Sequence, residues 1–131
     1  MELIFYLSYD DIIQIHADVV ADSGGGTGTR VEAGIHSAIV APRIVYYGAE
    51  LYPTIAEKGA IICFELVTQH PFVDGNKRVG HSAMAHFLFM NGYIIDADDE
   101  EQEEIILTLA AGKMDKETFT NWVKTKITEF K

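Results

Sequence analysis

An imidazole, a carboxylate, an amide and two cations fall close together in His70-Pro71-Phe72-Val73-Asp74-Gly75-Asn76-Lys77-Arg78, around a single glycine. His70 is the residue type that accepts a hydroxyl proton near neutral pH. Asp74 offers oxygen ligands for Mg²⁺ bridging phosphate groups. Gly75 lets the chain turn tightly and lets an anion approach the backbone. Asn76, Lys77 and Arg78 then open a helix, where unpaired N–H groups and the positive end of the dipole favour phosphate. Together these residues suit phosphoryl or nucleotidyl transfer to a hydroxyl, driven by positioning and charge stabilisation. Two rival readings are weaker. A zinc site needs more ligands: His81 and His86 are five apart and there is no HExxH. A plain helix cap needs Asp or Asn, but not His, Lys and Arg as well.

The elements that must position this turn are mostly helical. Ser8 caps a first helix running to about Ala21, with Asp10 and Asp11 in its first turn and Ile12, Ile15, Val19 and Val20 as its apolar stripe. His16 lies beside that stripe and reads as a half-buried, satisfied histidine. The glycine-rich run 23–29 has no GK[ST] ending and no preceding strand, so it reads as a flexible connection rather than a phosphate loop. A short helix from Glu32 to Ala41 is closed by Pro42. Residues 43–52 are the least helical part, either a hairpin or a packed loop with two core tyrosines. Pro53 suits the first turn of a central apolar helix, Thr54 to Gln69, in which Cys63 reads as an inert core thiol. Asn76 to Asn91 forms the next helix, stopped by Gly92. Tyr93-Ile94-Ile95 is extended. Helices follow at about 99–111 and, capped by Asp115, at about 116–130.

Length and charge bound the rest. The chain has 131 residues, about one domain, and 48% of them are hydrophobic, enough for one core. A formal net charge of −10 argues against nonspecific nucleic-acid binding. Seven carboxylates and no cation occupy residues 96–104, a solvated helix start. A polyanionic nucleotide would meet a local positive site on a repelling body, which points to a metal ion as helper. One cysteine permits no internal disulfide and fits a cytoplasmic location. No signal peptide or membrane span is expected. The expected fold is all-α, a compact helical bundle with a short hairpin-like flap before the motif helices, in a single domain over 1–131.

The 70–78 stretch resembles the Fic/Doc family motif HPFx[D/E]GN[G/K]R. The segments YLSYDDIIQIHADVV, GGGTGTR, HSAIVAPR, LYPTIAEKGA and FLFMNGYIIDADDEE resemble its death-on-curing (Doc) branch, and together cover most of the chain. The resemblance implies that His70 is the base, that Asp74 holds Mg²⁺, and that Gly75, Asn76, Lys77 and Arg78 bind the phosphates of ATP, with Phe72 anchoring the loop. It implies that 43–52 is a flap guiding the target. It further implies a toxin of a type II toxin–antitoxin system that phosphorylates a translation factor, elongation factor Tu, and is neutralised by the C-terminal segment of a Phd-like antitoxin. Lys77 stands where AMP-transferring members have glycine, and His81 stands where they have a second arginine. Both departures favour γ-phosphate transfer. Gly75 points the other way, since phage-type Doc has alanine there. The segment Thr125 to Phe130 (TKITEF) fails the self-inhibitory pattern [S/T]xxxE[G/N] at its last residue, so inhibition in trans is expected. The alternatives are a Fic-type AMP transferase and a catalytically inactive binding module.

Overall fold

Capping chemistry marks where the helices begin. The structure is a computed structural model, and it describes residues 3–130. Helix α1 (Tyr9–Ser23) starts at a reciprocal box in which Asp11 N–H donates to Ser8 Oγ at 3.1 Å and Ser8 N–H donates to Asp11 Oδ2 at 2.8 Å. It stops at Gly24, whose φ of 72° only glycine adopts without strain. Helix α2 (Glu32–Val40) passes directly into a 3₁₀ turn, Ala41–Arg43. Pro42 therefore tightens the helix end instead of stopping it. Strands β1 (Val45–Tyr46) and β2 (Ala49–Glu50) then form a minimal antiparallel hairpin through Tyr47 and Gly48, both at positive φ. Tyr46 and Tyr47 are exposed, so the packed-loop alternative with core tyrosines is wrong.

Helix α3 (Ile55–Gln69) is the centre of the core. Thr54 and Glu57 form its capping box, which leaves Pro53 just before the cap, two residues ahead of the first helical residue and not in the first turn. Its buried face includes Ala60, Ile62, Cys63, Leu66 and Val67. Against it lies α4 (Asn76–Met90), through Val79, Ala83, Met84, Phe87 and Leu88. Gly80 sets how closely the two approach: a Cβ there would sit 2.6 Å from Val67 Cγ2 and 3.2 Å from the Cys63 carbonyl. Burial pushes the Cys63 thiol far above its ordinary range, which keeps it un-ionised and inert.

The last third differs from the sequence expectation. Strand β3 (Tyr93–Ile95) leads into α5 (Asp99–Ala110), capped by Asp98, and then α6 (Lys116–Lys126), capped by Asp115. The Thr118 N–H holds the Asp115 carboxyl below its ordinary value. The final helix ends at Lys126, and Ile127–Glu129 is a strand, β4, paired antiparallel with β3 as Tyr93–Glu129, Ile94–Thr128 and Ile95–Ile127. The fold is thus an all-α bundle carrying two small two-stranded sheets. TKITEF straddles the end of α6 and β4, so it is not a helix. Among the described residues no helix is long and apolar enough to cross a membrane.

Candidate active site

The motif turn joins the two helices that share the core. His70 caps α3 in the left-handed region, φ 50° and ψ 55°, an uncommon conformation for a residue with a side chain. Pro71 and Phe72 turn inward, and Phe72 is wholly buried. Asn76 then clasps the turn from the first position of α4: its Oδ1 accepts from Phe72 N–H at 2.9 Å and its Nδ2 donates to the Phe72 carbonyl at 3.0 Å. That side chain is spent on the turn, so what Asn76 offers a ligand is its backbone N–H. Gly75 caps α4 at φ 83°. The first helical bond of α4 runs from Val79 N–H to the Gly75 carbonyl, and no described residue accepts from the N–H of Asn76, Lys77 or Arg78.

The glycine-rich run after α1 is laced to this turn instead of hanging free. Pro71 O accepts from the N–H groups of Arg30 at 2.7 Å and Val31 at 2.9 Å, and Val73 N–H donates to Gly28 O at 3.1 Å. Thr29 bridges Phe72, and Arg30 Nη2 donates to the His70 carbonyl at 3.2 Å. The reading of a flexible connection is therefore corrected: this run forms one wall of the turn. Asp74 is fixed from three sides. Gly75 N–H donates to Oδ1 at 2.8 Å, Gly26 N–H to Oδ2 at 3.3 Å, and His16 Nε2 meets the Asp74 carbonyl at 3.1 Å. Since that carbonyl can only accept, His16 carries its proton on Nε2. The same buried ring stacks on Phe72, centroids 3.9 Å apart and planes 7° apart.

A cleft of about 500 Å³ opens here, lined by His70, Asp74, Gly75, Asn76, Lys77 and Arg78. The side chains of His70 and Lys77 are exposed and make no hydrogen bond or ion pair to another described residue. Arg78 reaches Asp22 at only 3.5 Å across an exposed gap, a contact that solvent weakens. A second cavity of about 590 Å³ adjoins along α4 and α5, sharing Lys77 and Arg78 and lined also by Val19, Ala85, Ile106 and Leu107. His81 lines it too, with its Nε2 2.8 Å from Gln102 Oε1 on α5. Because Gln102 donates its own Nε2 to the Ala97 carbonyl at 2.8 Å, His81 is the donor to Gln102.

No group of three or more metal-ligating side chains occurs among the described residues. One exposed carboxylate, oriented by two backbone donors, fits Mg²⁺ held partly by nucleotide oxygens and water, which is how that ion commonly binds.

The model of the Fic/DOC family matches residues 6–88, from before α1 to near the end of α4. The chain belongs to the Fic/DOC family. It is 32% identical over 107 residues to Toxin Doc of Mycolicibacterium smegmatis, an overlap of 81% of this chain and 80% of that one. The Fic/DOC match takes in the six motif residues named at the cleft, and stops short of Ala110 on α5, which also lines it. It leaves out α5, α6 and the β3–β4 sheet, which shape the adjoining cavity and close the bundle.

Proposed function

We propose that this chain is a Doc-like toxin that transfers the γ-phosphate of ATP to a hydroxyl of a protein, with elongation factor Tu as the expected target. The observation that carries the reading is one cleft in which a free imidazole, an oriented carboxylate, two cations and three unpaired N–H groups converge. His70 accepts the proton of the target hydroxyl as its oxygen forms a bond to the γ-phosphorus. The bond from that phosphorus to the bridging oxygen breaks, and ADP leaves with the electron pair. Lys77, Arg78 and the N–H groups opening α4 hold the phosphate oxygens. Asp74 would hold Mg²⁺, which would neutralise phosphate charge when bound.

Phosphoryl rather than AMP transfer is favoured by positions 77 and 81. Lys77 puts an ammonium where a glycine would leave room. His81 donates to Gln102 and cannot offer the planar, two-pronged donor of an arginine. Inhibition is read as acting in trans, through an antitoxin segment, because TKITEF lacks both the helix and the terminal residue of a built-in inhibitor.

The test is to incubate the protein with ATP, Mg²⁺ and elongation factor Tu and weigh the product. A phosphoryl increment is expected, and addition of a whole AMP would overturn the kinase assignment. His70→Ala should lower the rate by roughly 10²–10⁴-fold while a thermal shift with Mg-ATP persists.

A further inference from the structure

Lys58 is wholly buried, on the core-facing side of α3 between Ile55 and Ile62, where an apolar side chain would fill the same space. Its Nζ donates to Pro42 O at 2.9 Å and to Glu50 Oε1 at 2.7 Å, and it lies 5.8 Å from the centre of the Tyr6 ring. An ammonium has three donors. Two of them thus grip the chain on both sides of the β1–β2 hairpin: Pro42 in the turn that enters it and Glu50 in the strand that leaves it. Replacing a buried ion pair by apolar side chains commonly leaves stability unchanged or raises it, so core packing alone gives no reason for a lysine here.

The hairpin needs such a hold. Every residue from Arg43 to Leu51 is exposed, and the strands pair only as Val45–Glu50 and Tyr46–Ala49. A two-stranded hairpin of that size is marginal by itself. Other contacts at its base are Leu51 N–H to Ile44 O at 2.9 Å, Arg43 stacked 4.2 Å from the Tyr6 ring centre, and Lys116 Nζ to the Tyr52 hydroxyl at 3.1 Å. Lys58 is the contact that runs from the hairpin into the helix whose C-terminal cap is His70.

We propose that Lys58 and Glu50 form a positioning clamp that fixes the hairpin relative to α3 and thereby governs how a protein substrate is presented for transfer, without touching the nucleotide. The second half rests on the proposed transfer to a protein hydroxyl and on the expectation, from the family resemblance, that 43–52 is a flap guiding that target. Lys58→Met removes the clamp and leaves no buried charge, because the Glu50 side chain is about half exposed, 47%, and can turn to water. Hydrogen exchange of the 46–51 amides should rise at least tenfold, with α3 and α4 protected as before. With elongation factor Tu as probe, its KM should rise about tenfold while the KM for ATP stays put. Glu50→Gln keeps an acceptor but loses the charge, so both readouts should move less. It also carries the test if Lys58→Met shows no cooperative melt. Unchanged hairpin exchange in both variants overturns the clamp. Faster exchange with an unchanged KM for elongation factor Tu overturns its role in presentation. If the unaltered protein transfers nothing to elongation factor Tu, the phosphoryl-transfer reading fails, and the exchange measurement still decides the clamp.

Discussion

A buried imidazole that meets one carbonyl and stacks on one ring can be altered in two ways that separate its tasks. His16→Phe keeps the stack on Phe72 and deletes the hydrogen bond to the Asp74 carbonyl. The expected stability cost is about 0.5–1.5 kcal/mol. His16→Ala loses both contacts and leaves a cavity, at about 3–5 kcal/mol by analogy with large aromatic truncations. Urea unfolding separates the two. The Phe variant also asks a chemical question. If His16 holds Asp74 in register for the metal, half-maximal transfer should need severalfold more Mg²⁺, with the rate at saturating Mg²⁺ little changed. An unaltered Mg²⁺ dependence would make His16 a core residue and nothing more. His16 is satisfied, as the sequence suggests, but buried and not half-buried, and its partner, 58 residues away, is not legible from local pattern. His70, Asp74, Lys77 and Arg78, by contrast, are neighbours along the chain, and their convergence in one cleft needed only a turn. Lys58 leaves a signal in the sequence, a single cation inside an otherwise apolar helical face, but its partners Pro42 and Glu50 lie outside that helix and the local pattern does not show them.

Pairs of helices carry the site, and the α3–α4 seam is the one on which it depends most. Two glycines line that seam, and they should not respond alike. A Cβ at Gly59 meets Leu88 Cδ2 at 2.9 Å and Leu88 Cγ at 3.2 Å, side-chain atoms alone, which a small shift of that one side chain can relieve. At Gly80 the obstacles are Val67 Cγ2 at 2.6 Å and the Cys63 carbonyl at 3.2 Å, and a branched residue and a backbone atom cannot both yield. Alanine gains about 1 kcal/mol of helix propensity at either position, while overpacking costs about 1–3 kcal/mol. Gly59→Ala should therefore be close to neutral and Gly80→Ala clearly destabilising in a thermal melt; equal melting temperatures would mean the helices can part without cost. The apolar period of 3.6 residues made α3 and α4 legible, and Ser8 and Asp115 gave two helix starts correctly, whereas Pro53 set the start of α3 too early because the Thr54 cap was not read. The last helix ran too far for a physical reason. Phe119, Trp122, Val123 and Ile127 continue a helical stripe, while Ile127 and Thr128 equally suit a strand. What decides between them is pairing with Tyr93–Ile95, some thirty residues earlier, and local pattern carries no trace of that partner.

Across the molecule, α4 separates two kinds of work. Its first turn opens the candidate active site, and its last turn leads through Gly92 into the β3–β4 sheet. At 1.5 Å per residue its fifteen residues put those ends about 20 Å apart, far enough for changes at one to add independently to changes at the other. The C-terminal strand seals the lower end. Besides its ladder with β3, it brings Asp96 N–H to Lys126 O at 2.8 Å and Phe130 N–H to Gly92 O at 3.1 Å, stacks Phe130 on Phe89 at 4.7 Å, and packs Ile127 on the core. Removing residues 127–131 discards the strand, the aromatic pair and the partly buried isoleucine together. The expected loss is roughly 2–4 kcal/mol, seen as a melting temperature lower by about 10 °C. Because the cleft at the other end of α4 is lined from α1, the 24–31 run, the motif turn and the end of α5, none of which is removed, the shortened chain should keep the same stabilisation by Mg-ATP at the same ATP and Mg²⁺ concentrations. A truncated chain that melts lower and also loses that increment would show that the sheet reaches the site through α4. The sum of stabilities would then no longer hold, and the two ends of the helix would have to be treated as one unit.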